Sequence, residues 1–274
     1  MLCTPEAIGK QLLRAERLWM FLDYDGTLAE FAPTPDHIHP DPKIVTLLTN
    51  LAHHPRIRIA VISGRRLRHV RSLVPVPGVW LAGTYGVELH TPDGQQISRL
   101  EYDSIRPTLE TIKPRWELLM AHRQGFFLED KGWSLALHAR FAGDEEADSV
   151  LAQARGTAAE WAQTDAFRIL GGHKFLEIGP ALAHKGHTVE YLLNRFSWPG
   201  AVAIYLGDDD KDEEAYAVIK AHGGIAVLVA REARETAADC RLDSPQAACQ
   251  WLTTLLRHYG PPEMTEETGQ RHRE

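Results

Sequence analysis

Trp19-Met20-Phe21-Leu22-Asp23-Tyr24-Asp25-Gly26-Thr27 is the stretch on which the fold turns. A short apolar run ending abruptly at an acid suits a buried strand of a parallel sheet. Asp23 and Asp25 are two residues apart, so while the chain stays extended they point the same way. Two ionised carboxylates roughly 4 Å apart repel by about 4 kcal/mol at an effective dielectric of 20. Such a pair persists when a cation sits between the two groups or when one is protonated. Gly26 permits a tight turn, and Thr27 adds a hydroxyl. Alone, the stretch also reads as an Asx-type turn capping a strand.

Outward from it, the chain alternates. Pro42–Leu51 has helical spacing, Ile57–Ile62 is a strand stopped by Ser63-Gly64, and Val79–Ala82 and Val87–His90 are further strands. Late in the chain, Ala201–Leu206 is a strand ending at Gly207-Asp208, followed by a helix through Ala215, Val218 and Ile219. The strand Ile225–Val229 and the helix Pro245–His258 complete it. Strand–helix alternation at both ends predicts an α/β fold with a doubly wound parallel sheet. Ligands of such sheets sit at the carboxyl ends of the strands, where Asp23, Ser63 and Asp208 fall.

The middle differs. A helix over Pro107–Gln124, strands at Phe126–Leu128 and Ser134–Phe141, a helix over Asp144–Gln163, and a hairpin of Phe167–Leu170 with Lys174–Ile178 turning at Gly171-Gly172 make an α+β module. It is expected over residues 104–179, inserted into a core formed by 1–103 and 180–259, with hinges near Asp103–Pro107 and Gly179–Pro180. The polar tail 260–274 is expected to be disordered.

A second acidic motif, Gly207-Asp208-Asp209-Asp210-Lys211-Asp212-Glu213-Glu214, holds six acids in eight residues at a strand end. A calcium loop would want Gly sixth and Glu twelfth, where Glu213 and Ile219 stand. If both acidic clusters meet at one sheet edge, their repulsion requires a metal, and oxygen-only ligands favour Mg²⁺. Ser63 either binds a phosphate oxygen or caps a helix. Lys185, in His184-Lys185-Gly186, either is solvated or neutralises the aspartates and a phosphate. There is no GxxxxGK[ST] or GxGxxG, so any phosphate is handled by carboxylates, metal and lysine.

Composition narrows the classes. The chain has 274 residues, 44% of them hydrophobic, and Lys plus Arg at 30 against Asp plus Glu at 37 gives a net charge of −7. A mildly acidic chain is poorly suited to nucleic acid or anionic membranes. Cys3, Cys240 and Cys249 form no CxxC pair, which reads as a reduced protein without a thiolate zinc site. No apolar run approaches the roughly 20 residues of a membrane span, so the expectation is a soluble, cytoplasmic, monomeric protein.

Taken in order, Asp-x-Asp-Gly-Thr, Ser63, Lys185 and Gly-Asp-Asp-x-x-Asp resemble the four motifs of the haloacid dehalogenase superfamily. The insert between Ser63 and Lys185 resembles its sugar-phosphatase branch with an α+β cap. Within that branch the chain resembles the trehalose-6-phosphate phosphatase family through Leu22–Leu28, Ile62–Arg65, Ala82–Glu88, Glu129–Arg140, Lys174–Glu177 and Leu206–Glu213. The resemblance implies that Asp23 is the nucleophile and Asp25 the general acid and base. It implies that Mg²⁺ is held by Asp23, Asp25, Asp208 and Asp209. Thr27, Ser63, Gly64 and Lys185 would hold the phosphoryl group, and Arg65, Glu88, Lys131, Ser134, His138, Lys174 and Glu177 the sugar. The implied substrate is a small sugar phosphate supplied by a trehalose-phosphate synthase. A glucosylglycerol phosphate or glycosyl-3-phosphoglycerate phosphatase and a phosphosugar mutase are the alternatives. The chain departs from the family pattern at Tyr85 (usually His), Gly179 (usually Arg), around His184 (usually an Asn nearby) and at Lys211 (usually Thr); Tyr85 and Gly179 would lie on the sugar side.

Overall fold

The computed structural model describes residues 2–31 and 39–260. The expected disordered tail lies, but for Gly260, outside the described residues. In chain order the larger unit begins with α1 (Pro5–Leu12), β1 (Arg17–Leu22), α2 (Pro42–Ala52), β2 (Ile57–Ile62), α3 (Leu67–Leu73) and β3 (Trp80–Gly83). A 3₁₀ turn over Thr84–Gly86 leads to β4 (Glu88–His90) and β5 (Gln96–Ser98). The insert follows as α4 (Tyr102–Met120), β6 (Phe127–Asp130), β7 (Leu135–His138), α5 (Asp144–Ala162), β8 (Phe167–Gly172) and β9 (Phe175–Pro180). The chain then returns through α6 (Lys185–Arg195), β10 (Ala201–Gly207), α7 (Glu213–Ala221), β11 (Ile225–Val229), β12 (Cys240–Leu242) and α8 (Pro245–Tyr259).

Eight strands form one sheet in the order β12-β11-β10-β1-β2-β3-β4-β5, parallel from β12 to β3 and antiparallel beyond. The apolar run of β1 is explained by burial on both faces. Leu18, Met20 and Leu22 pack with Ile8, Leu48 and Leu252 on one side, while Trp19 and Phe21 pack with Val189, Leu192 and Tyr216 on the other. Each such side chain contributes about 1.5–3 kcal/mol on burial. β1 sits between β2 and β10, so the strand order reverses there, and the carboxyl ends of β1 and β10 carry Asp23 and Asp208. That reversal is where open α/β sheets bind ligands.

The insert is a separate four-stranded antiparallel sheet, β6-β7-β9-β8. Alternation gives it two faces. Leu135, Leu137, Leu176 and Ile178 pack on Ile105, Leu109 and Trp116 of α4 and Val150 and Ala154 of α5. Glu129, Ala136, His138, Phe175 and Glu177 share the opposite face.

Three details depart from expectation. The helix α4 begins at Tyr102, so Pro107 lies inside it and the expected first hinge is helical; proline there forgoes one backbone bond. The second hairpin turns at His173-Lys174, because Gly172 pairs with Phe175 and Lys174 takes the positive φ of 52°. The short elements α1, α3, β5 and β12 carry too little periodicity to be read from sequence. Among the described residues, no helix is long and apolar enough to cross a membrane.

Candidate active site

The parallel ladder brings the two acidic motifs together. Leu22 pairs with Leu206, and Asp23 continues the ladder by donating its N–H to Leu206 O at 2.9 Å. Beyond it the chain turns tightly. Leu28 and Ala29 donate to Tyr24 O, and Gly26 donates to Ala29 O at 2.7 Å. Gly26 has φ of 85°, and a Cβ there would lie 2.2 Å from Oδ2 of Asp208. Glycine is therefore needed both for the turn and for the approach of the second motif.

Oxygen atoms of Asp23, Asp208 and Asp212 lie within 4.8 Å of one another. Thr27 Oγ1 is 3.1 Å from both Asp23 Oδ2 and Asp208 Oδ1. One hydroxyl proton cannot serve both carboxylates at once. Lys185 Nζ, at the start of α6, donates to Asp23 Oδ1 at 2.8 Å and to Asp212 Oδ1 at 2.6 Å. Asp212 also accepts the backbone N–H groups of Asp208 and Asp209, each at 3.0 Å, and the Tyr205 hydroxyl at 2.6 Å. It thus braces its own loop as well as the lysine.

Burial pushes Asp23 up to about 8, with Lys185 opposing and Asp208 and Asp209 adding to the rise. Burial likewise pushes Asp208 up to about 7, helped by Asp212 and Asp209. Burial works against the charge of Lys185, but Asp212 and Asp23 hold it well above the usual lysine range. One buried lysine thus faces three clustered carboxylates. The donor set is entirely hard carboxylate oxygen, which fits Mg²⁺ and offers nothing to a thiophilic metal.

Asp209, expected beside the metal, is otherwise engaged. Lys211 donates its backbone N–H to Oδ1 and its Nζ to Oδ2, both at 2.9 Å.

Asp25 points out of the buried cluster to Arg65, which grips it with two bonds, Nε to Oδ2 at 2.6 Å and Nη2 to Oδ1 at 2.7 Å. Arg65, expected on the sugar, thus meets the general-acid candidate instead. Ser63 is buried, and its Oγ accepts the Arg65 N–H at 3.1 Å, leaving its own proton available to a ligand. Gly64 lies under Tyr85, where a Cβ would come 2.6 Å from the hydroxyl.

The insert contributes a second polar cluster. Glu177 is 1% exposed. It accepts from Lys131 Nζ at 3.2 and 3.0 Å, from Ser134 Oγ at 2.5 Å and from the Tyr85 hydroxyl at 3.1 Å. Burial and the Glu177 charge hold the Tyr85 phenol well above its usual range, so it stays a donor. Tyr85 therefore ties the larger sheet to the insert. His138 meets Glu129 at 3.1 Å, and Glu88, half-buried on β4, is pushed upward by that burial. Lys174 points elsewhere, to Ala142 O at 2.8 Å and Asp144 at 2.7 Å. A Cβ at Gly179 would lie 2.9 Å from that of Ser134, so Ser134 takes the space a larger residue would need.

Sequence reasoning missed four residues on this seam: Glu129, Phe175, and Arg168 on β8 with its ion-pair partner Glu214 on α7. Period-two alternation along the insert's strands was the available signal, since it puts Glu129, Phe175 and Glu177 on one face.

The profile of the family described as Trehalose-phosphatase matches residues 21–246. The trehalose-phosphate phosphatase of Mycobacterium avium (strain 104) is 34% identical over 245 residues, covering 86% of this chain and 61% of that protein. The chain thus spans about three-fifths of the length of the curated relatives it matches. Among solved structures, the C-terminal domain of the C. albicans trehalose-6-phosphate phosphatase superposes with a TM-score of 0.82 at 19% identity, covering 93% of this chain and 97% of that one. The Aspergillus fumigatus trehalose-6-phosphate phosphatase gives 0.68 at 22% identity, over 93% and 98%. At those identities the structural likeness speaks for the fold.

Proposed function

The chain belongs to the trehalose-phosphatase family, and from that membership we propose that it hydrolyses trehalose 6-phosphate to trehalose and phosphate. The observation that carries the reading is the set of Asp23, Lys185, Asp208 and Asp212 at one sheet edge, all but Asp208 buried, beside a polar cluster of the insert.

Asp23 attacks phosphorus, the bond to the sugar oxygen breaks, and an aspartyl phosphate forms; splitting one hard step into two lowers each barrier. Asp25 gives its proton to the departing sugar oxygen, then takes one from the water that releases phosphate. Arg65 fixes Asp25 at both oxygens and must yield as Asp25 engages the substrate. Lys185 steadies the Asp23 carboxylate and the phosphoryl oxygens, and the Ser63 hydroxyl donates to one of them. Gly64, whose lack of a Cβ lets the Tyr85 ring pack against it, offers its backbone beside Ser63. Mg²⁺ held by Asp23 and Asp208, with Asp25 contributing its backbone oxygen and Asp209 nearby, would neutralise charge at the phosphoryl group.

On the insert, Glu129 and Glu177 share a face on which Lys131 is already matched by Glu177. A carboxylate-rich, charge-balanced face suits the hydroxyls of a neutral disaccharide better than a glycosyl-3-phosphoglycerate, which carries a carboxylate of its own. Glu88 and His138 extend that surface. In this reading a trehalose-phosphate synthase supplies the substrate, and the enzyme works as a monomer in the cytoplasm.

Phosphate release with Mg²⁺ from trehalose 6-phosphate, glucosylglycerol phosphate, glycosyl-3-phosphoglycerate and glucose 6-phosphate is the test. Trehalose 6-phosphate is expected to be the best substrate. Release from none of them refutes the reading, and an isomerised sugar phosphate with little free phosphate would reveal a mutase.

A further inference from the structure

Two lysines from opposite sides of the seam meet one aromatic ring. Lys211, in the loop between β10 and α7, has its Nζ 5.4 Å from the ring centroid of Phe175 on β9. Lys131, in the turn between β6 and β7, has its Nζ 5.9 Å from the same centroid. Cations within about 6 Å of an aromatic centroid are attracted to the ring face. Each lysine brings its own carboxylate: Glu177 for Lys131 at 3.0 Å, and Asp209 for Lys211 at 2.9 Å. Asp209 in turn stands 3.8 Å from Lys185, which grips Asp23.

These contacts make a continuous path. It runs from Asp23 through Lys185, Asp209 and Lys211 to Phe175, then through Lys131 and Glu177 to Tyr85 and back to the larger sheet. Lys211 is the link that crosses from the acidic loop to the insert. It is only one-fifth exposed, so its ammonium is committed to these two partners. Threonine, which the family resemblance leads one to expect at this position, is too short to reach the ring.

We propose that Lys211 is a positioning residue that couples the seat of the insert's sheet to the acid cluster, so that the sugar-facing and phosphate-facing halves of the site are held in register. The kinetic part of the test rests on the phosphatase reading; the exchange part does not.

The test uses the full chain carrying Lys211→Met, Lys211→Arg, Phe175→Leu, or the Met and Leu changes together. Hydrogen exchange followed by mass spectrometry reads the coupling without substrate. Phe175→Leu is expected to speed exchange about threefold in the loop 207–213, and Lys211→Met to do the same in the hairpin 172–178, with Lys211→Arg restoring protection. The threefold figure corresponds to a modest cation–π attraction. Unchanged exchange in the distant segment, or a failure of arginine to restore it, overturns the proposal.

Kinetically, each single change is expected to lower kcat/KM for trehalose 6-phosphate about threefold. The double variant should fall by the same factor, where independent effects would multiply to about ninefold. Multiplication overturns the coupling. A parent protein that releases no phosphate would count against the proposed function alone, and the exchange result would still decide the role of Lys211.

Discussion

The Glu177–Lys131 pair offers a prediction whose size can be worked from its surroundings. Glu177 is 1% exposed, and Lys131 spans its two oxygens at 3.2 and 3.0 Å. Removing one partner of such a pair strands the other charge out of water, which costs about 3–5 kcal/mol. Glu177→Gln keeps a carbonyl oxygen to accept from Ser134 and Tyr85, so its cost is expected at the low end, about 3 kcal/mol. Lys131→Met strands the carboxylate instead and should cost a similar amount, about 3 kcal/mol. If the two losses were independent, the double variant would lose about 6 kcal/mol. It contains no stranded charge, however, and should recover to within about 1 kcal/mol of the parent. Urea unfolding followed by tryptophan fluorescence, with m-values compared across the four proteins, measures this. Summed losses in the double variant would refute the argument that the desolvated charge sets the cost. Phosphate release should stay low in the stable double variant, because the proposed function puts both side chains in the sugar-facing surface; full activity there would remove them from the site.

Three further outcomes follow from the geometry. Asp23→Asn should lower phosphate release by about 10⁴-fold, and a variant keeping a tenth of the parent rate would disprove the nucleophile assignment. Asp23 and Asp208 are pushed up to about 8 and about 7, above their usual range near 4. The metal-free fold therefore has its full stability from these groups below that range and loses it as pH rises through the raised values. The rise in melting temperature on adding Mg²⁺ should accordingly be larger at pH 8 than at pH 5.5; equal increments would contradict the assignment. Gly64→Ala puts a Cβ 2.6 Å from the Tyr85 hydroxyl, so the ring must shift off Glu177. The expected cost is about 1–3 kcal/mol with a raised KM, and Tyr85→Phe should share the KM effect; a Gly64→Ala variant with parental stability and KM would show that the ring can give way freely.

The core sheet was legible because its strands are buried on both faces. Trp19–Leu22 carries no polar interruption and Ile57–Ile62 only Arg58 near its start, and each run is followed directly by a residue of the site, Asp23 or Ser63. The acid cluster was legible for a related reason: parallel pairing of β1 with β10 forces the ends of two acidic motifs together whatever lies between them. Partnerships were harder. The family resemblance implies that Arg65 contacts the sugar, yet its reach takes it back to Asp25. Lys174 lies two residues from Phe175's pairing partner, Gly172, and its left-handed backbone aims it at Asp144. Neither outcome is written in periodicity, because both depend on loops whose direction is set only by tertiary packing.

The turn at Thr84–Gly86 has a consequence for how such a protein could be recombined. The insert is one unbroken run of sequence, which invites exchange of the surface proposed to face the sugar as a cassette between parents. Yet Tyr85 and Val87 belong to the insert's apolar cluster, alongside Trp116 and Ile178. A graft cut near residues 103 and 180 would leave that cluster without Tyr85 and Val87, and the donor Glu177 facing a foreign residue. Chimaeras should therefore carry the segment 84–88 along with the insert, as a second, smaller transplant, if the exchanged specificity is to arrive in a folded protein.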